Sequence, residues 1–523
     1  MPHKVVKSMY CKRNKNHKIK NNHILSIISA VILSTSSANA SSIEAKSQES
    51  SPKINYSSPV NYMSSDTHFT TVANNTSIQT ETDQTNPTSY DNAVSGNPVF
   101  IKFDPGTGLL GRELKIPEDW GVRLGGISLA DSNKIFTGGK KPGAFSANNL
   151  LILGVVVNTE KKLGWKGGDI GVNFLQFNGQ NTNGYAGTLP GYDSTSPLAP
   201  FNRTELYEYW FAQDIITDKL KIRIGKTLPA VDFNNVTRPE TFKDSSQNVS
   251  TLSSLLLVSI FVNPTILLGV YGCFADSLFG TTVNLAPSKS TWVNAGIYDG
   301  NTARGVQTGI HNPHINNYLF GISEAGTSWL VGSQNHPGQL AIGAWYQTGT
   351  LNATGIYNNL KQTGTGGIYL YGGQRIWTEQ NPDSQDQDEE PDPKEALKST
   401  KKGSICIVYQ YGINDSKTLP VRQFVGFAIT AFSMAKSRPH DSFGAGMSLS
   451  FMNQNEFRRP QQLILQTYYQ AALIPNVVFL QPTLSYIPQP VLLPSNTYTA
   501  TSPSNIQNIP PTVIGTLTLT SVF

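Results

Sequence analysis

From about residue 97 to its end, the chain is written in short runs whose apolar and polar residues alternate. The runs are separated by clusters of Gly, Asn, Asp and Pro. A period of two residues is the signature of strands, because successive side chains leave a strand on opposite faces. Leu220, Ile222 and Ile224 alternate with Lys221 and Arg223. Met447, Leu449 and Phe451 alternate with Gly446, Ser448 and Ser450, and Ile170, Val172 and Phe174 alternate with Asp169, Gly171 and Asn173. The same two-faced pattern runs through 293–299, 339–347 and 405–411. No long amphipathic helix competes with it.

A soluble sandwich alternates in the same way, so the fold turns on which face meets solvent. Three features predict a barrel with its apolar face outward. Aromatic residues gather near strand ends on the oily face, at Tyr207, Tyr209, Phe211, Tyr346, Tyr409 and Tyr411, as an interfacial girdle requires. The other face carries Gly, Ser, Asn, Gln and charge, which suits a wet lumen. The last strand places Leu517, Leu519 and Phe523 on one side and ends on that aromatic residue, which reads as an assembly signal. A sheet in lipid must close, since an open edge leaves backbone groups unpaired in hydrocarbon. Residues 97–523 accommodate about 16 antiparallel strands with long extracellular loops, a size that encloses a water-filled channel. The expected fold is an all-β transmembrane barrel.

Glycine marks where the barrel begins: none of the 45 precedes Gly96. Residues 1–40 hold 7 Lys/Arg and no acid, and the apolar run Ile24–Leu33 leads to Ala38-Asn39-Ala40, so they read as a signal peptide cleaved after Ala40. The net charge of +5 belongs to this leader; the remainder has 33 basic and 35 acidic residues, which removes the case for a nucleic-acid partner. Residues 41–96, rich in Ser, Thr and Asn, read as a flexible extension without enough apolar surface to fold. Cys11 leaves with the leader, and Cys273 and Cys406 remain as the one pair able to bridge.

Other segments invite rival readings. Residues 252–272 are apolar enough to suggest a spanning helix, but Asn263-Pro264 interrupts them, and a loop or plug element plus a strand is expected instead. The acidic run Asp383–Glu395 lacks the turn glycine of a calcium loop and reads as a solvated extracellular loop. His311 and His314 lie three apart without a third ligand, so no metal or other cofactor is expected. No nucleophile elbow, phosphate loop, dinucleotide fingerprint or zinc-protease helix occurs, so no enzyme is expected either.

Several ordered motifs resemble the carbohydrate-selective porins of the OprB type. They are Asp119-Trp-Gly-Val-Arg-Leu-Gly-Gly126, Leu163-Gly-Trp-Lys-Gly-Gly168, Glu205–Gln213 followed by Asp218–Lys226 and Asp232-Phe233, and Val262-Asn-Pro-Thr265. Tyr298-Asp-Gly-Asn301, Arg438-Pro-His-Asp441, Tyr468-Tyr469 and Leu480-Gln-Pro482 follow in order. The resemblance covers about Pro105–Phe523. It implies a 16-stranded outer-membrane barrel, able to form a homotrimer, that is inserted by the barrel assembly machinery and passes sugars passively to the periplasm. Gln466 departs from the family, standing where relatives often carry an acid, and the loop after Gln380 is unusually long.

Neutral sugars present hydroxyl rims and apolar C–H faces, so a selective channel needs hydrogen-bonding groups opposite aromatic platforms. Strand parity puts Glu208 and Trp210 on one face with Leu206 and Ala212, away from Tyr207, Tyr209 and Phe211. Lys221 and Arg223 oppose Leu220, Ile222 and Ile224. Glu208 and Arg223 then either meet sugar or pair with each other across the wall. Asp299, Glu324, Arg375, Arg438 and Asp441 stand at motif positions whose facing the pattern leaves open. The expected function is a sugar channel. A general or anion-preferring diffusion porin is the rival within transport, and a barrel enzyme or adhesin is the rival outside it.

Overall fold

The structure is a computed structural model that describes residues 105–106, 108–189, 191–193, 202–234, 263–267, 277–288, 290–301, 313, 315, 318–333, 336–352, 360–379, 403–453, 459–475, 477–491 and 509–523. The leader, the extension 41–96, Cys273, His311, His314 and the acidic run 383–395 lie outside the described residues.

Sixteen antiparallel strands close into one barrel. They are β1 (Val122–Thr137), β2 (Phe145–Asn158), β3 (Gly168–Asn178), β4 (Asn202–Ile216), β5 (Leu220–Thr227), β6 (Leu278–Ser288), β7 (Thr291–Asp299) and β8 (Leu319–Val331). The circuit continues through β9 (His336–Asn352), β10 (Lys361–Thr378), β11 (Ser404–Asn414), β12 (Val421–Phe432), β13 (Ser442–Met452), β14 (Gln461–Ile474), β15 (Val478–Ile487) and β16 (Thr512–Val522). Each strand pairs with its sequence neighbours, and β16 pairs with β1. No sheet edge is therefore left to meet hydrocarbon. Among the described residues no helix is long and apolar enough to cross a membrane.

The outward face is oily. Ile297, Phe145, Phe136, Ile342, Tyr346, Ile368, Ile224, Leu484 and Leu517 are all exposed, with Ile297 at 63%. In water such a surface would drive aggregation, whereas against acyl chains it is at home. The seam is closed by Phe523, whose N–H donates to Gly126 O (3.0 Å) and whose carbonyl accepts from Gly126 N (2.7 Å). Its side chain is buried, unlike that of Leu517 at 47%.

Connections differ in length at the two ends. The end holding Phe523 has the tight turns 217–219, 289–290, 332–335 and 475–477, and the other end carries 179–201, 228–277, 300–318 and 488–511. Short turns mark the periplasmic side of such barrels and long loops the extracellular side. Thr378 and Ser404, the described residues that flank the segment holding the acidic run, pair with each other at the short-turn end.

One correction concerns Tyr207. Between the pairs Asn173↔Glu208 and Phe174↔Leu206 the β3–β4 register shifts, leaving Tyr207 as an extra residue. A bulge of this kind inverts the parity of everything before it. Tyr207 is consequently buried rather than part of the outer aromatic stripe, and Leu206 no longer shares the face of Glu208. Tyr209 and Phe211, beyond the bulge, keep the outward parity.

Candidate functional site

The described parts of two connections lie against the inner wall. The first follows β5: a short 3-10 turn (Pro229–Val231) carries Leu228, Ala230, Val231 and Phe233 into the inner apolar cluster, all at 0% exposure. That cluster also contains Trp210, Trp292, Tyr298, Phe320, Trp345, Tyr369 and Tyr371 from the surrounding strands. The Phe233 ring meets Tyr298 edge-on at 6.4 Å. Large aromatics fit on this wall because glycine faces them from the next strand. A Cβ on Gly171 would fall 2.2 Å from the Trp210 ring, and one on Gly326 would fall 1.9 Å from that of Trp292.

Polar groups of the wall latch the same connection. Glu208 accepts from Leu228 N (2.8 Å) and from Asn173 Nδ2 (2.7 Å). Arg223 forms a buried ion pair with Asp232, and its guanidinium lies over the Trp210 ring at 5.8 Å. The Asp232 carbonyl takes Asn294 Nδ2 at 3.1 Å. Glu324 receives four donors: Asn234 N (2.7 Å), Tyr369 OH (2.9 Å), Tyr371 OH (2.9 Å) and Trp292 Nε1 (3.3 Å). A carboxylate can only accept, and four charge-assisted bonds offset much of the cost of burying it.

The far end of this connection reaches another part of the wall. The helical turn Pro264–Leu267 docks on β11 and β12, with Asn263 Nδ2 donating to Tyr411 O (3.3 Å) and Asn414 Nδ2 to Thr265 O (2.8 Å). Of the segment 252–272, for which a loop or plug element plus a strand was expected, 263–267 are described, and there the backbone makes a helical turn against the wall; the rest lies outside the described residues. The second inward connection, β3 to β4, carries the helical turn Thr182–Ala186. Asp193 accepts from Asn133 Nδ2 (2.8 Å) and Asn148 Nδ2 (2.9 Å), and Asn183 Oδ1 from Tyr192 N (2.9 Å). On the opposite flank Gln466 Nε2 donates to Tyr192 O (3.1 Å) and Ser485 Oγ (2.9 Å), while Gln462 donates to Thr188.

Glu208, Trp210, Lys221 and Arg223 all face inward and lie together, as parity required, with exposures of 1%, 5%, 6% and 1%. The direct contacts of Glu208 and Arg223 go to the loop: Arg223 pairs with Asp232, and Glu208 accepts Leu228 N. Lys221 lies 3.4 Å from Asp214 toward the periplasmic mouth, where Arg123 also approaches Asp169 at 3.7 Å. Asp299 ends β7 on the extracellular side, taking Asn301 N at 3.2 Å. Arg375 is half-buried near the periplasmic end of β10. Arg438 and Asp441 belong to the turn after β12: Asp441 accepts from Arg438 Nε (2.7 Å), Ala472 N (3.0 Å) and Tyr469 OH. Hydrogen bonds to Asp441 and Tyr469 hold the Arg438 guanidinium above its ordinary pKa range. These last four residues are not gathered with the first four. Asp232 entered the sequence reading only within the Asp232-Phe233 motif, and Asn234, Asn173 and Asn294 were not proposed as site residues.

From β11 through β16 the inward positions are neutral. They include Ser404, Gln410, Ser448, Ser450, Gln462, Gln466, Gln470, Gln481, Ser485, Thr518 and Thr520, all buried. Amide and hydroxyl groups both donate and accept, so they can exchange partners with water or with a polyhydroxylated solute at little cost.

Comparison with known proteins agrees with this geometry. The structure of OprB from Pseudomonas putida at high pH superposes with a TM-score of 0.60 at 13% identity, covering 80% of this chain and 99% of that one. The low-pH structure of the same protein gives a TM-score of 0.46 at 11% identity, covering 79% and 96%. No curated protein matches the chain. The family described as "Carbohydrate-selective porin, OprB family" matches residues 144–523. The chain therefore belongs to the OprB family of carbohydrate-selective porins, as an outer-membrane channel through which sugars diffuse.

Proposed function

We propose that selectivity arises in the part of the lumen left between the two inward connections, with the neutral amide wall as the sugar-contacting surface. In this reading Glu208, Arg223 and Glu324 act on solute through the loop that they hold. They are positioning residues, and sugar hydroxyls trade water for the glutamine and serine groups opposite. The observation that supports it is the neutrality of the inward positions of β11–β16 beside a loop latched by buried charges. A neutral lining binds hydroxyls weakly enough for exit, which a fixed charge on the path would not favour for uncharged solutes.

Planar bilayers test the assignment. Glucose is expected to reduce ion current through the open channel, and liposomes carrying the protein are expected to swell faster in glucose than in sucrose or small amino acids. Equal swelling in all of these, with no block of current, would leave a general diffusion porin. Export of the chain with removal of its leader after Ala40, and assembly guided by Phe523, belong to the same proposal. Deleting Phe523 removes the backbone pair with Gly126, and the heat-modifiable folded band on a gel is expected to disappear.

A further inference from the structure

The outward wall is not smooth. Between β1, β14, β15 and β16 lies a groove of about 660 Å³, floored by Ser132, Pro482 and Gly515 and walled by Phe136, Leu484 and Leu517. Two local features create it. Pro482 has no N–H to offer the ladder, and the β14–β15 pairing skips from Tyr468↔Thr483 to Ala471↔Leu480. Gly515 lets the Phe136 ring lie against the strand, since a Cβ there would come within 2.7 Å of that ring. The groove runs from mid-wall toward the rim at the long-loop end, because its β1 residues (132–136) lie in the final part of that strand and pair with 514–517 in the first half of β16.

At the rim end of the groove stands Lys134, an exposed cation on the face that meets lipid. One of its protons goes to Gly143 O. The hairpin above adds Lys140 and Lys141, the latter lying over the Tyr185 ring at 4.0 Å. From Ser132 to Thr159 the sequence contains these three lysines, Lys134, Lys140 and Lys141, and no acid, and after Arg459 it contains no charged side chain at all. Of the strands beside the groove, β14, β15 and β16 carry no charge, and the one acid of β1, Asp131, is buried on the inner face, away from Lys134. Burial and the neighbouring Lys141 lower the Lys140 pKa, as expected where cations are crowded together.

We infer that this groove binds a phosphorylated, acylated lipid of the outer leaflet, of the lipid A class, with an acyl chain along Gly515 and Pro482 and a phosphate at Lys134. Shape and charge agree: the apolar trough takes the chain, and the cation lies at the level where headgroup phosphates begin. A lysine on the lipid face is tolerated near the interface because its stem stays apolar while its tip reaches anionic groups.

Native mass spectrometry of the detergent-purified full barrel titrated with lipid A tests the assignment. One retained molecule is expected for the wild type. Retention is expected to weaken about tenfold in Lys134→Gln, as for loss of one charge-assisted contact. A similar loss is expected in Ser132→Phe, which fills the trough without changing charge, and for dephosphorylated lipid A on the wild type. Both variants are expected to conduct normally, because the groove lies outside the lumen; normal conductance also shows that they fold. Equal retention across all four cases would overturn the proposal. So would a stable oligomer of this chain that dissociates on Ser132→Phe, because the groove would then be filled by a second copy.

Discussion

Each half of the inner wall holds a loop, but they do so with opposite chemistry. The β4–β8 half presents Glu208, Arg223 and Glu324, and the loop it holds offers backbone N–H groups, from Leu228 and Asn234, together with the Asp232 carboxylate. The β14–β16 half presents Gln462, Gln466 and Thr512, and the loop it holds offers carbonyls: Tyr192 O to Gln466 (3.1 Å) and Ala186 O to Thr512 Oγ1 (3.2 Å). A carboxylate can answer an N–H and cannot answer a C=O. The difference teaches that charge sits on this wall where the loop's orphan groups demand an acceptor or a cation. Where they demand a neutral donor, an amide replaces it. That accounts for Gln466 at a position where an acid was expected from the family.

The largest effect is expected where a charge would be orphaned. Arg223→Met leaves Asp232 buried without its cation, and breaking such a pair on one side costs about 3–5 kcal/mol. The loop segment 228–234 is expected to leave the wall. Single-channel conductance should rise and sugar block should fall, while the heat-modifiable band persists because the strand ladder is untouched. Arg223→Met combined with Asp232→Leu removes both charges and is expected to recover most of the wild-type conductance. A double variant as open as the single one would show that the ion pair does more than avoid an unpaired charge.

The amide half gives the next largest effect. Gln466→Glu replaces the donor to Tyr192 O with a second acceptor, and an unsatisfied buried polar group costs about 1–3 kcal/mol. The expected readouts are faster protease cleavage within the β3–β4 connection and a lower temperature for loss of the folded band. Gln466→Met, similar in size and without a second acceptor, is expected to do less harm. If Gln466→Glu behaved as wild type, the opposition between the two halves would lose its chemical basis.

Much of the fold was legible because closure and parity are strict rules. Alternation at 169–174, 220–224 and 446–451 located strands β3, β5 and β13, and the same parity turned Glu208, Trp210, Lys221 and Arg223 inward. What parity could not carry was a break in itself. The bulge at Tyr207 adds one residue with no compositional mark, and it moved two side chains to the opposite face from the one expected. The partners of the inward charges were illegible for another reason: Asp232 and Asn234 reach them from a connection whose path no periodicity describes.

A smaller effect probes how the charged half is packed. Gly326→Ala places a methyl where the Trp292 ring lies, 1.9 Å from its nearest atom, so the indole must move. Overpacking of this kind costs about 1–3 kcal/mol. The indole then withdraws its N–H from Glu324, at present 3.3 Å away, while the two tyrosines and Asn234 N still serve that carboxylate. Noisier current at unchanged mean conductance is the expected reading, and a conductance rise as large as in Arg223→Met would make packing, rather than charge, the main latch.

The smallest effect is expected on the neutral half, at Ser448. Its side chain faces the lumen from β13, and its Oγ makes no hydrogen bond among the described residues, nor does that of Ser450. Neither loop depends on it. Removing a hydroxyl that holds no protein group leaves nothing unsatisfied, so Ser448→Ala should change stability by no more than about 0.5 kcal/mol. Ser448 is buried at 1% exposure, so its hydroxyl meets a sugar only where the groups covering it give way to solute; if the amide wall is the sugar path, one exchangeable partner for a sugar hydroxyl is then gone. Glucose block should weaken by about twofold to tenfold, while ion conductance and the folded band stay as they are. The sharpest break with the contrast between the two halves would be the reverse pattern, with block unchanged in Ser448→Ala but abolished by Glu208→Gln at normal conductance. That outcome would return sugar contact to the charged half and leave the amides as loop supports alone.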